Sequence, residues 1–168
     1  MIYMEKYQVK LSVLLDSLEY CSDVEKDGFY VIKGTNEIIG YGEDLSEDYS
    51  YEDEVWKFLE LNECLHLPTY HDIDNLQPDW GRYITLKYID VMIGDEKQKK
   101  SLSKAYNSIF FNDVLPAIPG STKFCKELGK QKRMEEWDQF VMEEYKAHRV
   151  QFVTTWCQEH DVEIIYDK

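Results

Sequence analysis

The residue types able to do chemistry are scattered along this chain. Cys157 and His160 stand three apart, a spacing that one metal ion bridges from a helix, and Cys64 with His66 forms a second pair. A structural zinc site takes four ligands in short paired spacings, and a catalytic one takes three plus a water. The two pairs are far apart in the chain and differ in form, so each reads more simply as a core cysteine with a surface histidine. Neither a metal nor a cofactor is expected. His71, Asp72 and Asp74, within H-D-I-D, make a further cluster on a loop ahead of Pro78. That cluster suits divalent-cation or acid–base chemistry, although its aspartates serve equally to cap the turn or helix that follows. A nucleophilic cysteine needs a histidine base and a carboxylate to orient it. Cys125 or Cys157 would have to meet His71 or His148 in space, which no spacing foretells, and His148 lies on an apolar helical stripe. The chain carries no G-x-S-x-G, no G-K-[ST] and no G-x-G-x-x-G. Its G-Y-G, Gly40 to Gly42, is followed by Glu and Asp, which repel a pyrophosphate, so these glycines mark the end of a hairpin. No motif names a reaction, and the catalytic residues stay unassigned.

What the sequence concentrates is charge. Its 33 acidic and 19 basic side chains give a net charge of −14. A general nucleic-acid binder or an adherent of anionic membranes is thereby excluded, because both need an excess of Lys and Arg. The excess is one-sided. Met1 to Asn75 holds 18 acids and 5 bases, net −13, whereas Leu76 to Lys168 holds 15 and 14, net −1. The peak is Glu43 to Glu54, with seven acids, no base and two tyrosines in twelve residues. Glu43, Asp44, Glu47, Asp48, Tyr49, Tyr51, Glu52 and Asp53 are therefore the candidate partner-binding residues, acidic with aromatic anchors, for a basic protein partner. The second half carries two basic clusters instead, Lys97, Lys99, Lys100 and Lys104, then Lys123, Lys126, Lys130, Lys132 and Arg133. A small interaction or regulatory module is the leading expectation. The alternatives are a hydrolase-like enzyme using His71 and nearby carboxylates, and a mimic of DNA whose rows of carboxylates imitate phosphates.

The elements that position these residues follow from periodicity. At 168 residues, 43% apolar and 14% aromatic, the chain suffices for a single compact domain, 1–168, whose core needs no staple. Leu11, Leu14, Leu15 and Leu18 predict a helix of about ten residues from Val13, capped by Ser12. F-Y-V-I-K-G-T-N-E-I-I-G-Y predicts a β-hairpin turning at Gly34 to Asn36, with Leu65 to Leu67 or Glu163 to Tyr166 as a third strand. Tyr51, Val55, Phe58 and Leu59 line one side of a helix with an acidic first turn, which suits the helix dipole. Pro78 opens a helix through Trp80, Tyr83, Ile84, Tyr88 and Val91 that stops at Gly94. A short basic helix, Glu96 to Asn107, leads into Ser108 to Ser121, an apolar, Pro-rich linker. The closing helix, Glu135 to about His160, repeats Trp137, Val141, Tyr145, His148, Phe152 and Trp156 along one face. The fold class is α+β, with an N-terminal helix, a small antiparallel ribbon and a mainly helical second half. No signal-like segment and no run of 18 apolar residues is present, and the four cysteines form no C-x-x-C, so a cytoplasmic protein with reduced thiols is expected.

The ending E-E-W-D-Q-F, Glu135 to Phe140, with W-C-Q-E-H-D-V, Trp156 to Val162, resembles a bacterial family, uncharacterised protein family 0158, in which E-x-W-x-x-F precedes W-C-x-x-x-x-I along one helix. L-S-V-L-L-D-S-L-E, Leu11 to Glu19, and E-I-I, Glu37 to Ile39, are similar to its N-terminal part, and T-K-F-C-K, Thr122 to Lys126, stands where the family has a basic aromatic segment. The resemblance implies a small α+β cytosolic protein. It brings no activity and no site residues.

Overall fold

The computed structural model of the protein describes residues 6–42, 45, 49–76, 80–110 and 122–167, with the backbone alone described at 49–52, 74–76, 108–110 and 122. The fold is α+β. It divides into two compact units: residues 1–76 with 148–168, and residues 77–147. The charge divides with them. The first unit carries 22 acidic and 7 basic side chains, net −15, and the second 11 and 12, net +1.

The first unit holds β1 (Tyr7–Lys10), α1 (Leu11–Ser17), β2 (Gly28–Ile32), β3 (Ile38–Tyr41), α2 (Tyr49–Leu61), β4 (Cys64–His66) and α3 (Tyr70–Leu76). The end of α7 (Met134–Glu159) and β5 (Val162–Ile165) complete it. The predicted hairpin forms, and the first candidate third strand joins it, giving the antiparallel order β3-β2-β4 with Tyr30 opposite both Ile39 and His66. The second candidate is also a strand, but it leaves that sheet and pairs in parallel with β1, placing Val9 beside Ile164. The first helix begins two residues earlier than its leucines suggest. Lys10 is the N-cap, and its ammonium has no acceptor for a cap bond; the expected cap, Ser12, lies inside the helix and bonds to the Asp167 carboxylate, tying α1 to the residues just after β5. The helix ends at Ser17, whose fully buried hydroxyl donates to the Pro68 carbonyl at 2.7 Å. Val9, Leu14, Leu18, Val31, Val153 and Cys157 form the core between these elements.

The second unit is helical: α4 (Trp80–Met92), α5 (Glu96–Phe110), α6 (Thr122–Lys130) and the beginning of α7. Pro78 and most of the linker Ser108 to Ser121 lie outside the described residues. Asp95 starts α5 by accepting the Gln98 amide at 2.8 Å, an ordinary N-cap bond. Tyr88, Leu102, Phe124, Leu128 and Trp137 are its buried centre. The Tyr88 hydroxyl donates to Glu136 at 2.8 Å, and Arg133 bridges from Glu136 to the Gln98 side chain. Burial first, and then the Glu136 carboxylate, push the Tyr88 phenol well up.

The closing helix spans nearly the predicted residues, but its buried positions are not one unbroken stripe. Trp137 and Phe140 are buried near its start, and Arg149, Val153 and Cys157 near its end. Met142 and Tyr145 between them are exposed, and Phe152 and Trp156 of the expected stripe are only half-buried. A 26-residue helix that serves two cores need not keep one apolar line. Among the described residues, no helix is long and apolar enough to cross a membrane.

Candidate acidic cleft

The polar stretch after α1 owes its shape to two glycines. Gly28 has φ +138°, and a Cβ there would lie 2.6 Å from Nε2 of His66. Gly42, just beyond β3, has φ +134°, and a Cβ would meet the Tyr20 hydroxyl at 2.7 Å and the Asp27 carboxylate carbon at 2.9 Å. Glycine alone accepts this backbone without strain, and it lets strand, loop and ring close to contact distance. On the other side, Thr69 is the N-cap of α3, and Asp72 three residues on accepts its amide at 2.7 Å and its hydroxyl at 3.3 Å. This is the reaching-back half of a capping box. His71 and Asp72 thus sit on the first turn of a helix and not on a loop, with the Thr69 amide satisfied by Asp72 and the Tyr70 amide by the Tyr20 carbonyl.

Between these elements opens a cleft of about 460 Å³ lined by residues that include Tyr20, Ser22, Asp23, Glu25, Asp27, His66, His71 and Asp72. His66 is held by two neighbours. Its ring stacks on Tyr30 with centroids 4.5 Å apart and planes 9° apart, and Nε2 lies 3.1 Å from the Asp27 carbonyl. A ring nitrogen facing a carbonyl carries the hydrogen and donates. Nε2 of His71 likewise donates to the Ser22 carbonyl at 2.9 Å, and lies 3.8 Å from the Cys21 sulfur. Both histidines therefore pin the main chain of the loop, and neither Nε2 is available as a general base. The Tyr30 hydroxyl donates to the Lys26 carbonyl at 2.6 Å, and burial raises that phenol to about 12. The Lys26 ammonium meanwhile lies over the Trp56 ring, 4.7 Å from its centroid. Among the described residues no Lys or Arg forms an ion pair with Asp23, Glu25, Asp27 or Asp72.

Burial lowers the pKa of His66, outweighing the Asp27 carbonyl and the nearby charges of Asp72, Asp27 and Glu25, which act in the opposite direction. The folded protein therefore keeps this ring neutral where the unfolded chain, near its ordinary value of 6.5, already takes a proton. Stability from this site is complete above 6.5 and is lost as the pH falls through that value toward the lower folded one. His148, lowered by burial as well, adds the same sign. Thermal melts between pH 7.5 and 5.5 are expected to show falling stability, with His66 contributing at most about 1.4 kcal/mol per pH unit. His66→Gln should flatten the slope; an unaltered slope would place its origin elsewhere.

The other candidates do not converge. Cys157 is buried, and burial raises its thiol to about 11, so it is no nucleophile at neutral pH. His160 stacks on Trp156 and bonds its carbonyl at 2.8 Å through Nδ1. The Cys64 thiol, raised by burial, donates to the Leu59 carbonyl at 3.5 Å. Among the described residues, no three His, Cys, Asp or Glu side chains come together as a metal site would require. Of the acidic segment, Glu43, Asp44, Glu47 and Asp48 lie outside the described residues, Tyr49, Tyr51 and Glu52 belong to α2 with only their backbone described, and Asp53 is exposed. The side chain of Asp74 is likewise outside the description. His66 enters the sequence reading only as a metal-pair partner of Cys64, and the cleft members that it passes over are Asp23, Glu25 and Asp27. The one signal for them was the acidic run D-V-E-K-D halting at Gly28.

Fold and site together define a small α+β protein with an acidic cleft built on a three-stranded sheet. No protein-family model, curated protein or solved structure matches the chain.

Proposed function

We propose that this protein is a cytoplasmic interaction module, and that the cleft of its first unit receives a Lys or Arg side chain of a basic partner protein. One observation carries the reading. In a unit of net charge −15, four carboxylates border a cleft in which no described cation pairs with them. Carboxylates of one sign gathered around a concavity add their fields and attract a cation more strongly than any one of them alone. A volume of about 460 Å³ accommodates one long side chain with its flanking residues. The hydrolase-like alternative at His71 shares this cleft, but its Nε2 and that of His66 both donate to main-chain carbonyls. Mimicry of DNA would rest on the carboxylates of Glu43 to Glu54, of which only those of Asp53 and Glu54 lie among the described side chains. The resemblance to uncharacterised protein family 0158 rests on the α1, β3 and α7 motifs and suits a small cytosolic protein.

Calorimetric titration with a Lys- and Arg-rich peptide tests the proposal. Binding is expected at about 50 mM salt and should fade as salt screens the charges. Asp23 and Glu25 are exposed and their side chains make no hydrogen bond with a described residue, so D23N/E25Q should keep the fold while weakening binding by about tenfold. Equal affinity of the variant and the natural protein would remove the cleft from the docking site.

A further inference from the structure

We infer that the second unit carries a separate binding site for a small oligophosphate, in the groove between α5 and α6. The groove has a volume of about 360 Å³, and its lining includes Lys104 and Ser101 from α5 and Lys123, Lys126, Glu127 and Lys130 from α6. Among the described lining residues, four ammonium groups against one carboxylate leave a local charge of +3, inside a chain whose net charge is −14. Lys130 lies 3.7 Å from Glu127, whereas Lys104, Lys123 and Lys126 form no ion pair with a described residue.

The spacing tells what the lysines do not do. Lys123, Lys126 and Lys130 recur at i, i+3 and i+7, so they crowd one face of a nine-residue helix whose opposite face buries Phe124 and Leu128. Like charges at these separations oppose helix formation. Lys104 faces the same groove from a second helix and adds a further repulsion. Four ammoniums arranged at the helix's expense are compensated when an anion lies among them. Three features select its class. The helical rise places Lys123 and Lys130 about 10 Å apart along the axis, more than one phosphate spans and suited to a chain of two or three. Lysines without an arginine fork match charge and not the planar shape of a carboxylate. Among the described residues none that lines the groove is aromatic, so the phosphates themselves are the recognised group.

The test is titration of the full chain with sodium triphosphate at about 50 mM salt, followed by calorimetry. Saturable 1:1 binding is expected. K104Q/K126Q should weaken it by about tenfold or more, with unchanged helical circular dichroism because both side chains are exposed. K97Q/K99Q, on α5 but outside the lining, should leave it intact. ATP should bind as inorganic triphosphate does, since the groove reads only phosphates. Absence of saturable binding at about 1 mM triphosphate, or an equal loss in K97Q/K99Q, would overturn the site. ATP binding about tenfold tighter than triphosphate would overturn the phosphate-only assignment, and a single-stranded RNA binding that much tighter would replace the small ligand with a nucleic acid.

Discussion

Trp137→Ala is expected to lower the unfolding free energy of the second unit by about 3–5 kcal/mol, the usual loss for removing a buried Trp. The indole is 4% exposed. It meets the Tyr88 ring edge-on at 5.0 Å and 81°, and the Phe124 ring at 5.2 Å and 74°. Tyr88 in turn packs on Phe140 at 5.4 Å. Three helices, α4, α6 and α7, thus meet on one indole, and alanine leaves a void that none of the three rings can fill without breaking its edge-to-face contact. Tyr88 has the further constraint of its hydrogen bond to Glu136. Urea denaturation followed by tryptophan and far-ultraviolet signals measures the loss. A change below about 1 kcal/mol would mean that this cluster does not organise the unit.

The second large effect is expected at Gly28. Alanine there forces an L-residue into φ +138° and drives a methyl group to within 2.6 Å of Nε2 of His66. The strained backbone and the displaced ring with its lost hydrogen bond together are expected to cost about 2–4 kcal/mol. The variant carries its own signature. Once the ring leaves its place between Tyr30 and the Asp27 carbonyl, the burial that lowers its pKa is relieved, and NMR titration should show His66 rising toward 6.5. A variant that keeps full stability and a low His66 pKa would contradict the close approach of β2 to β4 described above.

Some of this was legible in the sequence for a plain reason. The β2–β3 hairpin combines β-branched and aromatic runs with Gly34 at the turn, and the closing helix repeats apolar residues over 26 positions; patterns of that length outweigh local noise. Strand β1, Y-Q-V-K, offers only two residues per face and one buried side chain, so no alternation can announce it. Its pairing with β5 joins residues more than 150 apart, which periodicity does not encode. The α3 helix leaves little trace in the sequence, because Pro78 points to a later start and its cap, Thr69 with Asp72, is a pair three apart and common by chance. The cleft was hidden for a similar reason. His66 reaches Asp27 only because β4 lies beside β2, and its alternation with Cys64 had suggested a metal pair. The one-sided charge is readable because it needs only counting, whereas the return of residues 148–168 to the first unit, which takes its net charge to −15, leaves no mark in composition.

The docking role of the acidic cleft is tested most directly by mapping amide shifts in ¹⁵N–¹H NMR spectra as a Lys- and Arg-rich peptide is added at low salt. Shifts concentrated at Tyr20 to Asp27 and His66 to Asp72, and absent from D23N/E25Q, are the predicted result. No saturable shifts, or shifts confined to the residues of the second unit, would contradict it.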